Sequence, residues 1–203
     1  MTTTLRLAVV LLGMLLFAAR SEAQLSKIFV ASYGNDANDG SRGSPKRNFQ
    51  AAHDAVATGG QIVVLDAAGY GALSINKSIA VTVPPGVNGF ITVSGSNNGI
   101  TINAGNATVD LRGLIIEGPS TGFGVVANSV GTLRVDDCVV RKFNNGIFIH
   151  SSTNARLLVS GGSVRETALN GIIIEPSVAG VAVEGVVTGC AVDKAAGVGD
   201  LRL

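Results

Sequence analysis

Short apolar runs alternate with polar residues along most of this chain, and the alternation itself repeats. Val109, Leu133, Leu157 and Val181 fall 24 residues apart, as do Leu111, Val135, Val159 and Val183, and Ile116, Val140, Val164 and Thr188. Within one unit the period is two: Leu133 and Val135, then Cys138 and Val140, then Gly146-Ile147-Phe148-Ile149. Period two in Val- and Ile-rich runs broken by Gly, Asn and Asp predicts strands, three to each unit. A unit this small buries its apolar face only by stacking on its neighbours, so the repeat predicts a solenoid. With each strand pairing with its copy one coil away, the expected fold is a single-stranded right-handed parallel β-helix of about five coils.

A second repeat marks the corners. Asn98-Gly99-Ile100, Asn145-Gly146-Ile147 and Asn170-Gly171-Ile172 recur, with the looser Thr121-Gly122-Phe123-Gly124-Val125 between the first two. Asn and Gly tolerate φ > 0, which predicts a tight turn at each motif before Ile re-enters the core. The register places Asn98, Thr121, Asn145 and Asn170 in one column. It also predicts outward columns of mostly opposite or neutral neighbours: Arg112, Asp136, Ser160, Glu184; Gly118, Lys142, Glu166, Cys190; and Glu117, Arg141, Arg165, Gly189.

The ends read differently. Arg6, the apolar run Leu7 to Ala18 and Ser21-Glu22-Ala23 have the layout of an export signal, so residues 1–23 are expected to be removed and the mature chain to be secreted or periplasmic. No later run has the ~18 apolar residues of a membrane span. Residues 24–60 are expected to hold a cap: Asn48 starts a short helix with Phe49, Ala52, His53 and Val56 on one face, and Gly59-Gly60 stops it. Residues 61–203 form the β-helix, its first coil using Gln61 to Leu65, Ala72 to Ile75 and Ser78 to Val83, with a turn at Pro84-Pro85-Gly86. At the other end Val198, Leu201 and Leu203 begin a coil without a polar cap, a surface suited to self-association.

Composition removes several functions. The net charge of +1 with 14% charged residues excludes an electrostatic nucleic-acid binder, and 4% aromatics without Trp leave few platforms for sugar rings. The register puts Cys138 inside and Cys190 outside, two coils apart, roughly 10 Å at strand spacing. That exceeds disulfide reach, so two free thiols are expected.

Gly34-Asn35-Asp36-Ala37-Asn38-Asp39-Gly40-Ser41, then Pro45, Phe49-Gln50-Ala51-Ala52-His53-Asp54-Ala55 and Gly60-Gln61-Ile62-Val63-Val64-Leu65 resemble the start of exported right-handed parallel β-helix proteins. With the Asn-Gly-Ile coils, the resemblance extends over nearly the whole mature chain, to the pectate-lyase-like superfamily. Pro45 is followed here by Lys46-Arg47-Asn48, where family members usually have Phe directly after Pro. The resemblance implies that chemistry, if present, uses outward side chains on the strand after the Asn-Gly corner. Those positions read Thr101, Gly124, Phe148, Ile173 in one column and Asn103, Val126, His150, Glu175 in the next. His150 and Glu175 are therefore the candidate catalytic pair, as base and orienting group.

No cofactor is expected. Asp36 to Gly40 lacks one residue of the Asp-x-Asn-x-Asp-Gly calcium loop and the distant Glu, so it reads as an Asx-rich turn leading into the cap. Asp136-Asp137 has no acidic neighbours in adjacent coils, so calcium is not supported there either. The sequence favours an exported interaction or structural module, with Phe148 and Ile173 as its outward strip and a polysaccharide, surface or protein partner. The alternative is a lyase or epimerase acting on acidic polysaccharide by β-elimination.

Overall fold

The computed structural model describes residues 24–193 and 199–202. The expected export signal, residues 1–23, lies outside them, as do Val198 and Leu203. Three parallel sheets wind into a β-solenoid of about five turns. Sheet I comprises Leu25–Val30, Val56–Val64, Ile79–Thr82, Thr108–Arg112, Thr132–Asp136, Ala155–Ser160 and Val183–Thr188. Sheet II comprises Ala68–Gly69, Gly89–Thr92, Leu114–Glu117, Val139–Arg141, Ser163–Arg165 and Ala191–Val192. Sheet III comprises Leu73–Ile75, Ile100–Asn103, Phe123–Ser129, Asn145–Ser151, Asn170–Pro176 and Gly199–Arg202.

The inner columns are continuous. Ile62, Val81, Leu111, Val135, Val159 and Val187 stack in sheet I, Ile91, Ile116, Val140, Val164 and Val192 in sheet II, and Leu73, Ile100, Val125, Ile147 and Ile172 in sheet III. Most of these side chains have no exposed surface. Burying them in register is what fixes the coil, because a one-residue slip would turn every one of them outward.

The 24-residue period fails in the last coil. Leu157 pairs with Gly185 and Val159 with Val187, so Val181 and Val183 are not in the expected columns. Ser177 to Ala182 form a longer turn, and the offset between neighbouring coils rises from 25 to 28 residues. Ser160 consequently faces Thr188 rather than Glu184, and Cys190 moves inward into line with Gly162 and Cys138. Cys190 is half-buried against the core, not outside, yet with Gly162 between them the two thiols remain free. In the coils before this shift two of the expected charge neighbours hold: Arg112 pairs with Asp136 at 3.2 Å, and Arg141 with Glu117 at 2.6 Å.

The Asn-Gly corners also differ from expectation. Gly99, Gly146 and Gly171 are absent from the left-handed region, which Gly122 of the looser motif does occupy; it is also occupied at the corner between sheets I and II by Gly113, Asp137, Gly161 and Gly189, and between II and III by Ser120, Lys142 and Glu166. Glycine is required at the corner for space: a Cβ on Gly99, Gly124 or Gly146 would meet Ile116, Val140 or Val164 of sheet II and the carbonyl of the next glycine in the column.

The N-terminal cap is built around the helix Phe49–Ala55, with Phe49, Ala52 and His53 buried. It ends at Ala55, ahead of Gly59-Gly60, because Val56 already enters sheet I. Asn48 does not cap the helix with its side chain; its Nδ2 donates 2.6 Å to Asp36. The strand Leu25–Val30, not expected from the sequence, adds a rung above Val56–Val64, and Phe49 packs on Tyr70 at 5.1 Å. No helix among the described residues is long and apolar enough to cross a membrane.

Candidate functional site

Sheet III presents the outward face on which the candidate pair lies. Its strands pair Thr101 with Val126, Val126 with Phe148 and Phe148 with Ile173, while His150 pairs with Glu175. Gly124 and Val126 were expected in these columns two residues out of place. Val126 belongs to the Phe148 column, and after a register irregularity past Ala127 it is Ser129 that pairs with Asn103, while Asn128 Nδ2 donates to Asn103 Oδ1 at 2.9 Å.

The same shift changes the Asn-Gly column. Phe123, not Thr121, stands between Asn98 and Asn145, and its backbone N–H donates to Asn98 Oδ1 at 3.1 Å. Thr121 instead donates to the carbonyl of Gly95. Lower in the column Asn170 Nδ2 donates to Asn145 Oδ1 at 2.8 Å. The amide ladder is thus interrupted by one aromatic ring.

That ring is the feature sequence reasoning missed. Phe123 stacks on Phe148 at 5.1 Å between centroids with planes 21° apart, and Phe148 lies 5.2 Å from His150. Val126 and Ile173 flank the stack and are nearly covered, so the exposed strip expected at Phe148 and Ile173 is instead a ridge of Phe123, Phe148 and His150. The signal was present in the sequence: Phe123-Gly124-Val125 repeats the Gly-apolar half of Asn-Gly-Ile at the right distance. Above the ridge a groove of about 500 Å³ is lined by uncharged residues, including Ser74, Thr92, Ser94, Asn97, Asn98 and Thr101.

His150 and Glu175 do come together. His150 Nδ1 is 3.4 Å from Glu175 Oε1, with both side chains about two-fifths exposed. Nδ1 itself is enclosed and makes no hydrogen bond. Arg141 and Arg165 do not join the pair. They belong to sheet II, where Arg141 and Lys142 both hold Glu117 and Arg165 lies 3.9 Å from Glu166. The hydrogen bonds from Lys142 and Arg141 keep the Glu117 carboxyl below the usual carboxylate range.

The other singled-out residues have structural partners. His53 is buried, with Nδ1 3.0 Å from Asp54 Oδ1, a contact that lowers the Asp54 pKa. Cys138 is buried, and desolvation pushes its thiol up to about 12. Asp136 and Asp137 diverge: Asp136 accepts from Ser160 and Arg112, which hold it below its ordinary value. Among the described residues no three His, Cys, Asp or Glu side chains gather as a metal-ligand set. No family model, curated protein or solved structure matches this chain.

Proposed function

We propose that the chain is an exported β-helix interaction module that holds a chain-like ligand along the outer face of sheet III. The stacked ridge Phe123, Phe148 and His150 carries this reading, because a solenoid gains nothing for its core by gathering three rings on the outside. Phe123 and Phe148 lie on neighbouring rungs, at the ~4.8 Å strand repeat, and His150 extends the apolar surface along the strand of Phe148, a patch suited to an extended polymer. The amides of Asn98, Asn103 and Asn128 and the hydroxyls of Ser74 and Thr101 continue the face and supply hydrogen bonds. From Thr101 to Ile173 and from Asn103 to Glu175 these columns hold no Lys or Arg, and Arg202 enters only one rung further on, opposite Ile173, which favours a neutral over an acidic stretch of polysaccharide or surface polymer. The resemblance to exported pectate-lyase-like proteins supports both the location and the polymer.

The test is retention of the mature chain on a panel of immobilised neutral and acidic polysaccharides. Phe148→Ala should lose retention while its thermal midpoint stays close to that of the wild type. Retention unchanged in that variant would remove the ridge from the binding face.

A lyase or epimerase is the second reading, favoured by the 3.4 Å approach of His150 to Glu175. Proton abstraction beside a uronate carboxylate also needs a cation for that carboxylate, and Arg141 is occupied by Glu117 on another sheet. Ultraviolet absorbance from unsaturated uronates, abolished by His150→Ala, would establish this reading over the first.

A further inference from the structure

Lys46 stands where the resemblance leads one to expect an aromatic ring, and its side chain runs into the cap with 9% of its surface exposed. A buried ammonium normally finds a carboxylate. Here Nζ donates instead to two main-chain carbonyls, Asp36 O at 2.9 Å and Asn38 O at 2.5 Å. Among the described residues no carboxylate oxygen lies within ion-pair distance of it.

Much of the loop around it is tied up in its own hydrogen bonds. Asn35 Oδ1 accepts from Ala37 N, Asp39 Oδ1 from Ser41 N, and Asn38 Nδ2 donates to Pro45 O. The Asp36 carboxylate turns away toward Arg47 N, Asn48 N and Asn48 Nδ2, tying the loop to the start of the helix. What remains directed at Nζ is a pair of carbonyl dipoles flanked by Asp36 and Asp39. Main-chain carbonyls and nearby carboxylates are the donors that hard cations take.

We infer that the Gly34–Gly40 loop is a cation site whose cation is the chain's own Lys46 ammonium. The cap therefore closes over the solenoid without metal, and the same carbonyls accept a small free cation once the ammonium is removed. This inference does not depend on what sheet III binds.

The experiment is thermal unfolding of the mature wild-type chain and of Lys46→Ala, in chelator and then with millimolar calcium, ammonium or choline. The wild-type midpoint should be the same in chelator and in calcium. The variant should melt several degrees lower and recover, saturably, with ammonium or calcium but not with bulky choline. A calcium-dependent rise in the wild type, or a variant indifferent to all three ions, overturns the inference. If Lys46→Ala does not fold unaided, refolding yield with and without the same ions is scored, and failure of ammonium and calcium alike to restore it is equally decisive against.

Discussion

A Cβ placed on Gly124 would press into Val140 of sheet II and lie 2.6 Å from the carbonyl oxygen of Gly146, one coil further on. Gly146 stands in the same relation to Val164 and Gly171. Sheets II and III therefore approach closely at this corner, and the glycine column is what permits it. Gly124→Ala should destabilise the chain by about 1–3 kcal/mol in denaturant unfolding, the usual cost of overpacking a filled core. Gly146→Ala should cost a similar amount, part of it recovered on adding Val164→Ala, which clears the methyl but not the carbonyl. A double-mutant cycle with no coupling between the two would show that the corner relaxes by another route.

The glycine column explains how far the fold was legible. Inner columns such as Val109, Leu133 and Leu157 announce themselves because each rung must present an apolar side chain at the same place. Turns carry no such constraint, so the longer turn before Val183 displaced Val181, Glu184 and Cys190 from their expected columns. Asn-Gly suggests a left-handed turn from local chemistry alone, whereas the need for glycine here comes from another sheet. His150 and Glu175 were legible because identical motifs precede both. Phe123 was not, because it replaces the Asn that defines the motif.

Acid should loosen the cap before the solenoid. Burial alone would raise Asp36, but hydrogen bonds from Asn48 and Arg47 outweigh it and hold the carboxyl below its ordinary value. Asp66 behaves likewise, with burial opposed by hydrogen bonds from Ser32 and Tyr70. Both carboxyls bind protons less readily folded than unfolded. Their stabilisation is complete above the unfolded value near 4 and is withdrawn as pH falls through the lower folded values. Hydrogen-exchange protection at the Ser32, Arg47 and Asn48 amides should fall over that interval while Val135 and Ile147 stay protected. Asp36→Asn should flatten the response at Arg47 and Asn48; an unchanged profile would assign it to other groups.

The two thiols should be separable. Burial raises both thiols, but Cys138 is 4% exposed and pushed up to about 12, whereas Cys190 is only half-buried, just past the Val183–Thr188 strand. Thiolate is the reactive form, so a thiol reagent at mildly alkaline pH should label Cys190 in the native protein and reach Cys138 only after unfolding. Mass spectrometry should count one label, then two. Two labels before unfolding would contradict the inward placement of Cys138.

Gly185 offers the opposite case to Gly124. It occupies the sheet I column that Val109, Leu133 and Leu157 fill with apolar side chains, and its φ is not in the left-handed region. A Cβ there would meet only Ile174, chiefly its δ-methyl, the flexible end of a side chain that can rotate aside. Alanine also restricts the unfolded chain, which is worth about 0.4–1 kcal/mol where the native backbone suits it. Gly185→Ala should therefore be neutral or raise the thermal midpoint, while Gly124→Ala lowers it, although both introduce the same methyl group into the same solenoid. Equal losses at both positions would mean that Ile174 is held as firmly as Val140, and that the last rung of sheet I is packed as tightly as those above it.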